Sequence, residues 1–142
     1  MLFITLVSGE KMKYIIYQKS CEDMKDIESE SISTIFTSPP YALAKDYELP
    51  EAIGMSDKPN AYEEYLARMT IVFKECFRVL QPGRHIGVNI SFIIQADKHG
   101  REKKPIPFHF YTLLKKCGFI FEEQIIWRKA TGMLSQKRFG SF

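Results

Sequence analysis

The sequence predicts an α/β domain with a largely parallel sheet and helices on both of its faces. Short β-branched and aromatic runs alternate with helical stripes in the order β-α-β-loop-α-β-α-β, which is the pattern of crossover connections. The 142 residues are one domain's length, and 45% apolar with 26% charged residues is a composition that builds a core. A third observation concerns the second strand, which stops at two adjacent prolines, Pro39 and Pro40. Collagen-like, low-complexity and disordered classes are excluded by the same composition.

Lys13–Gln18 is a β-branched and aromatic run that reads as the first strand. Ser20 is placed to cap a short helix through Ile27, with Asp23 three residues on. Ser33–Thr37 reads as a buried strand, and residues 42–60, without periodicity, as a long loop. The clearest helix follows. Tyr62, Tyr65, Leu66, Met69, Val72, Phe73, Cys76, Phe77 and Leu80 recur at three- to four-residue spacing and form one apolar stripe, read as core. Gln81-Pro82-Gly83-Arg84 has the proline and glycine of a type II turn. His85–Ile94 reads as a strand, Ala96–Lys104 as a polar basic loop, and Pro107–Lys116 as a helix stopped by Gly118. Phe119–Trp127 reads as a last strand with Trp127 packing at its end, and residues 128–142 as a polar tail. Ligands of such folds bind beyond the carboxyl ends of the strands, here at Ser20-Cys21, at Ser38–Tyr41 and after Asn89.

The three cysteines, Cys21, Cys76 and Cys117, are odd in number and widely spaced, which fits reduced thiols, with Cys76 and Cys117 as core residues. His85, His99 and His109 have no metal-ligand spacing with them, so no metal is expected. The start Leu2–Val7 lacks a basic flank and is far shorter than a span of about 20 residues, so a cytoplasmic protein without membrane contact is expected. The formal charge of +3 is uneven: ten Lys/Arg face thirteen acids through residue 96, and ten face four from residue 97 onward. The basic third suits either a solvated face or a phosphate-rich ligand.

The most unusual local feature is Thr37-Ser38-Pro39-Pro40-Tyr41 at the end of a strand. Each proline pushes its predecessor into an extended conformation, and neither proline has an N–H. A hydroxyl at Ser38 and a carbonyl at Pro39 then make a pair of acceptors suited to an –NH₂ group, with Tyr41 as a flat face for a planar base. A stiff loop entry with a surface tyrosine fits the tetrapeptide equally well when it is taken by itself.

The order "TIFTSPPY", the helix "YEEYLARMTIVFKECFRVLQPG", "HIGVNI" and "FYTLLKKCGFIFEEQIIWRK" resembles the amino-methylating DNA methyltransferases over residues 13–142. That resemblance implies a Rossmann-like S-adenosylmethionine methyltransferase fold, incomplete in this chain. It also implies methyl transfer from S-adenosylmethionine to an exocyclic amine of a base flipped out of double-stranded DNA, with Ser38, Pro39, Pro40 and Tyr41 as the catalytic motif. Serine in the first position of the motif resembles members that act on cytosine N4; adenine N6 is the alternative. Cofactor contacts are implied at Thr37, Ser38, Ser20 and Cys21, although Lys19-Ser20-Cys21 stands where the family usually has Gly-Asp-Cys. The loops that hold Lys98, Arg101, Lys103, Lys104, Arg128, Lys129, Lys137 and Arg138 are then placed to touch DNA phosphates.

The family's glycine-rich F-x-G-x-G cofactor loop has no counterpart, since no two of the eight glycines stand in G-x-G spacing. The expected organisation is an extension over residues 1–12, part of a catalytic domain over 13–130, and a tail over 131–142 leading toward a target-recognition region. Exposed strand edges are expected, covered by a complementing chain or by self-association. A truncated or inactive remnant, or a partner subunit acting only as a binding module, is the competing expectation.

Overall fold

In the computed structural model, residues 2–8, 11–41, 53, 60–97 and 100–128 are described, with side chains over 14–41, 53, 60–92 and 103–128. Strand β1 (Leu2–Ser8) pairs antiparallel with β2 (Lys11–Tyr17), from Leu2 opposite Tyr17 to Ser8 opposite Lys11. Leu2–Ser8 thus form an element that their sequence did not announce. Strand β3 (Ile32–Thr37) runs parallel to β4 (Leu80–Val88) and is joined to it through helix α1 (Ala61–Val79). Strands β5 (Ile93–Asp97) and β6 (Gly100–Lys104) form a hairpin where a loop was expected, and helix α2 (Ile106–Cys117) follows. Among the described residues β3–β4 is the one parallel pair.

The proline pair explains where that ladder ends. β3 stops at Thr37, because Pro39 and Pro40 have no N–H to donate to a neighbour. β4 loses its partner at the same level: the Asn89 N–H donates to the Thr37 carbonyl at 2.8 Å, and residues 89–92 leave the strand. The expected strand from His85 to Ile94 is therefore divided between β4 and β5. At the other end Leu80 pairs with Ile32 and His85 with Thr34, so Gln81–Arg84 bulge out between them. Gly83 there has φ 73°, as the second central position of a type II turn requires.

The apolar stripe of α1 is the core, as expected, except at Phe77, which is 47% exposed. Tyr65, Met69, Phe73, Cys76 and Val79 are buried, and they meet Ile106 and Phe110 of α2 on one side and Met24 and Ile27 on the other. Ile32, Ile35, Ile86 and Val88 of the parallel pair pack against this cluster. The opposite face of β3 is open, with Phe36 79% exposed, so the strand is covered on one face only. Gly118 ends α2 with φ 108°, its N–H donating to the Lys115 carbonyl and that of Phe119 to the Leu114 carbonyl. A side chain at Gly118 would also meet the Phe77 ring at 2.8 Å.

Two expected elements are not formed. Ser20–Ile27 makes two turns in place of a helix, closed by Asp23 N–H to Ser20 O at 3.4 Å and Ile27 N–H to Met24 O at 2.9 Å. The Ser20 hydroxyl accepts the Glu22 N–H, and the Asp23 carboxylate accepts the Lys25 N–H, local bonds that compete with helix. Phe119–Trp127 has no ladder partner among the described residues and is not a strand. Trp127, expected to pack at the strand end, is 71% exposed. Cys117 is half-buried where a core position was expected.

Charge holds the turns in place of helix. Arg68 grips Glu22 with two bonds, Nε to Oε1 at 2.8 Å and Nη2 to Oε2 at 2.6 Å. Arg78 donates to the carbonyls of Met24 and Ile27 at 2.8 and 3.0 Å, while Glu75 accepts from Arg78 and from the Met24 N–H. The Arg68 bonds hold the Glu22 carboxyl below its ordinary value of 4.5, and Arg78 does the same for Glu75. A depressed folded-state value adds stability above the unfolded value, and that stability is lost as pH falls. Glu22→Gln is expected to lower unfolding free energy by about 1 kcal/mol at pH 7. In denaturant titrations the gap from wild type should close as pH drops below about 4.5. A gap that is constant from pH 7 to pH 3 contradicts the pairing.

Candidate active site

The Ser38–Tyr41 motif lies at the carboxyl end of β3, where the parallel pair opens. Ser38 is exposed, Pro39 is buried, and Pro40 and Tyr41 are half-buried, with Tyr41 against the core cluster. The chain is fixed on both sides of the acceptor pair. On one side the Thr37 carbonyl accepts the Asn89 N–H at 2.8 Å. On the other the Pro40 carbonyl accepts the Tyr65 hydroxyl at 2.9 Å. Between these two anchored carbonyls stand the Ser38 hydroxyl and the Pro39 carbonyl, and among the described residues no hydrogen bond engages either.

Aromatic packing supports the motif from behind. The Tyr65 ring is 1% exposed and lies between Tyr62, at 6.2 Å and 24°, and Phe110, at 6.0 Å and 22°. Phe73 meets Phe110 edge-on at 5.0 Å. The Tyr62 hydroxyl shares a 2.8 Å hydrogen bond with His109 Nδ1, and the Lys104 ammonium lies 5.1 Å from the Tyr62 ring centroid. Lys104 is thereby linked to the motif through the Tyr62–Tyr65 stack. Lys103 and Arg128 are exposed, and no such link joins them to it among the described residues. The side chains of Lys98 and Arg101, together with Lys129, Lys137 and Arg138, lie outside the described residues.

Ser20 and Cys21 are less available than their position suggests. The Ser20 hydroxyl donates to Glu22 Oε2 at 2.8 Å while accepting the Glu22 N–H at 3.2 Å. Cys21 is half-buried, and burial pushes its thiol above the ordinary value. Cys76 is pushed up to about 12, by burial first and then by the neighbouring Cys21, Glu75 and Cys117. Among the described residues no group of three His, Cys, Asp or Glu could hold a metal ion. His109 is engaged by Tyr62 and His85 by Glu122 at 2.9 Å, while His99 lies outside the described residues.

This arrangement offers two rigid acceptors beside an aromatic face and a cation nearby. The DNA methylase family matches residues 32–141, a stretch that includes the whole motif. The chain belongs to the DNA methylase family. It is 35% identical over 144 residues to the type II beta methyltransferase M.BslI of Bacillus sp. (strain NEB-606), covering 96% of this chain and 15% of that protein. It is 27% identical to the type II methyltransferase M.SfiI of Streptomyces fimbriatus, over 84% of this chain and 31% of that one. Among solved structures, TTHA0409 of Thermus thermophilus, assigned as a DNA modification methylase and complexed with S-adenosyl-L-methionine, superposes with TM-score 0.52 at 25% identity. That match covers 68% of this chain and 37% of the neighbour. The fold is thus a partial methyltransferase fold, and the chain spans well under half the length of each of these relatives.

The described residues fit such a cofactor only in part. The motif leaves its acceptors open at the strand end, but Ser20 is engaged by Glu22, the Thr37 carbonyl by Asn89, and no G-x-G loop exists in the sequence. A complete cradle is not formed by these residues. Tyr65 belongs to the site as well as to the core, which the apolar stripe alone concealed. The available signal was chemical, because a buried tyrosine must find an acceptor for its hydroxyl. With both thiols held protonated, Cys21 and Cys76 are expected to alkylate far more slowly with iodoacetamide at pH 7.5 than a free cysteine. Peptide mass mapping reads this, and rapid native labelling of Cys21 contradicts it.

Proposed function

We propose that the protein carrying this chain is an S-adenosylmethionine-dependent DNA methyltransferase that methylates an exocyclic amine, with cytosine N4 the favoured acceptor. The observation that carries this reading is the pair of open acceptors, Ser38 Oγ and the Pro39 carbonyl, held between the anchored carbonyls of Thr37 and Pro40. An exocyclic amine is a poor nucleophile because its lone pair is delocalised into the ring. The two acceptors take its two N–H groups, turn the nitrogen away from planarity and stabilise the positive charge that develops on it. When bound, the cofactor supplies an electrophilic methyl whose bonding electrons remain on its sulfur. The amine's surplus proton leaves on the acceptor side toward solvent. Tyr41 stacks on the base, which must leave the duplex to bring its amine to the acceptor pair. No covalent nucleophile is required of the protein.

Serine at position 38 supports cytosine over adenine, and adenine N6 remains the alternative acceptor. Double-stranded DNA is the partner, in a cytoplasmic setting, with Lys103, Lys104 and Arg128 and the more distal Lys129, Lys137 and Arg138 serving its phosphates. Thr37 and Ser38 are the cofactor contacts best supported, with Ser20 and Cys21 weakened by their own engagement and burial. The open face at Phe36 and the exposed Tyr14, Ile15 and Ile16 support a fold completed elsewhere, by the rest of the protein, by a complementing chain or by self-association. Residues 1–12 act as a flanking extension, 13–130 as the partial catalytic domain, and 131–142 as the lead toward target recognition. One observation bears on a second reading, a partner subunit or binding module whose cofactor loop is supplied elsewhere: no G-x-G occurs within these 142 residues. Among the described residues no helix is long and apolar enough to cross a membrane.

Ser38→Ala is expected to reduce methyl transfer from labelled S-adenosylmethionine by about a hundredfold, with the thermal transition unchanged. Wild-type turnover by that variant contradicts the proposal. DNA affinity should weaken as salt rises, and Lys103→Ala with Lys104→Ala should lower the log–log salt slope by about 1 for each phosphate no longer neutralised. An unchanged slope removes those lysines from the interface.

A further inference from the structure

We infer that Tyr65 is a positioning residue for methyl transfer, and that its hydroxyl, bonded to the Pro40 carbonyl, sets the geometry of the acceptor pair. This inference rests on the methyl-transfer reading of Ser38–Tyr41 and adds to it the part that holds the motif still. Two adjacent prolines have no N–H, so Pro39 and Pro40 can be held by backbone hydrogen bonds only through their carbonyls. Both anchoring carbonyls are occupied. Thr37 is held by the Asn89 N–H, which belongs to the sheet, and Pro40 is held by a side chain, which belongs to α1. The second anchor is therefore the one that a single substitution can release without breaking a strand.

Tyr65 is suited to that work because its ring has no freedom. It is 1% exposed and lies between Tyr62 and Phe110 with interplanar angles of 24° and 22°. A phenol fixed in this way delivers its hydroxyl to one point. The 2.9 Å bond thus transmits the position of the α1–α2 core to the motif. Removing the hydroxyl leaves the ring packing in place and lets the Pro39–Pro40 peptide turn. The carbonyl that must meet the amine N–H then loses its direction, and near-attack geometry is sensitive to such displacements.

The test compares Tyr65→Phe with Val79→Ala in the protein that carries this chain. Val79 is buried in the last turn of α1, at the far end of the parallel pair from the motif, and reports destabilisation alone. Below both thermal transitions, Tyr65→Phe is expected to lower kcat about tenfold, with KM for DNA and for S-adenosylmethionine within about twofold of wild type. Val79→Ala should retain the wild-type kcat. Native hydrogen exchange supplies a readout independent of turnover: the Asn89 amide, bonded to the Thr37 carbonyl beside the motif, should exchange faster in Tyr65→Phe and unchanged in Val79→Ala. Unchanged exchange at Asn89 in Tyr65→Phe overturns the inference whatever the activity, and so does an equal loss of kcat in Val79→Ala. If the wild-type protein transfers no methyl group, the methyl-transfer reading fails, and the exchange comparison still decides whether Tyr65 holds the motif.

Discussion

Two prolines in succession remove two N–H donors from the end of a parallel strand, and much of the molecule follows from that loss. The ladder between β3 and β4 stops at Thr37 and Asn89, so the sheet opens at the level of the motif. An opened strand end leaves Ser38 exposed and the Pro39 carbonyl outside the ladder, where a continuing strand would have paired that carbonyl. The backbone around the two prolines can still be held by what donates to its carbonyls. One donor comes from the neighbouring strand and the other from the helix beneath. A site with two open acceptors is thus the complement of a sheet that was made to end.

The rest of the scaffold keeps α1 where that second donor is needed. Its stripe is buried against α2, the parallel pair and the turns at 20–27, and Phe73 and Tyr65 share Phe110 as a common neighbour. The turns themselves have little regular hydrogen bonding. Arg68 and Arg78, with Glu22 and Glu75, supply the bonds that a helix would have supplied. These ion pairs are part-buried and bidentate, which is the geometry in which such pairs contribute to stability.

Much of this was legible in the sequence because it depends on local chemistry. The α1 stripe, the stop of β3 at Pro39-Pro40, the type II turn glycine and the Gly118 stop of α2 each follow from steric rules acting over a few residues. What was not legible depends on distant partners. Ser20 and Asp23 close turns because Arg68 and Arg78 reach that segment from α1, across 46 to 54 residues of sequence. Phe119–Trp127 has strand composition, yet a strand also needs a neighbour, and none of the described strands is one. Within the candidate site, the proline pair singled out Ser38–Tyr41 as unusual, and the family resemblance gave the segment its proposed role. Tyr65 was not singled out, since its spacing marks it as core and its hydroxyl's target is 25 residues away.

On the proposed reading, a pair of acceptors without a thiol nucleophile in the motif itself places the methyl group on an exocyclic nitrogen and not on a ring carbon. Nucleoside mass spectrometry of DNA methylated by the wild-type protein tests that placement most directly. The account predicts methyl on an exocyclic amine, as N4-methylcytosine. A product carrying the methyl on C5 of cytosine would contradict it, because that chemistry needs a covalent nucleophile which the two acceptors cannot provide.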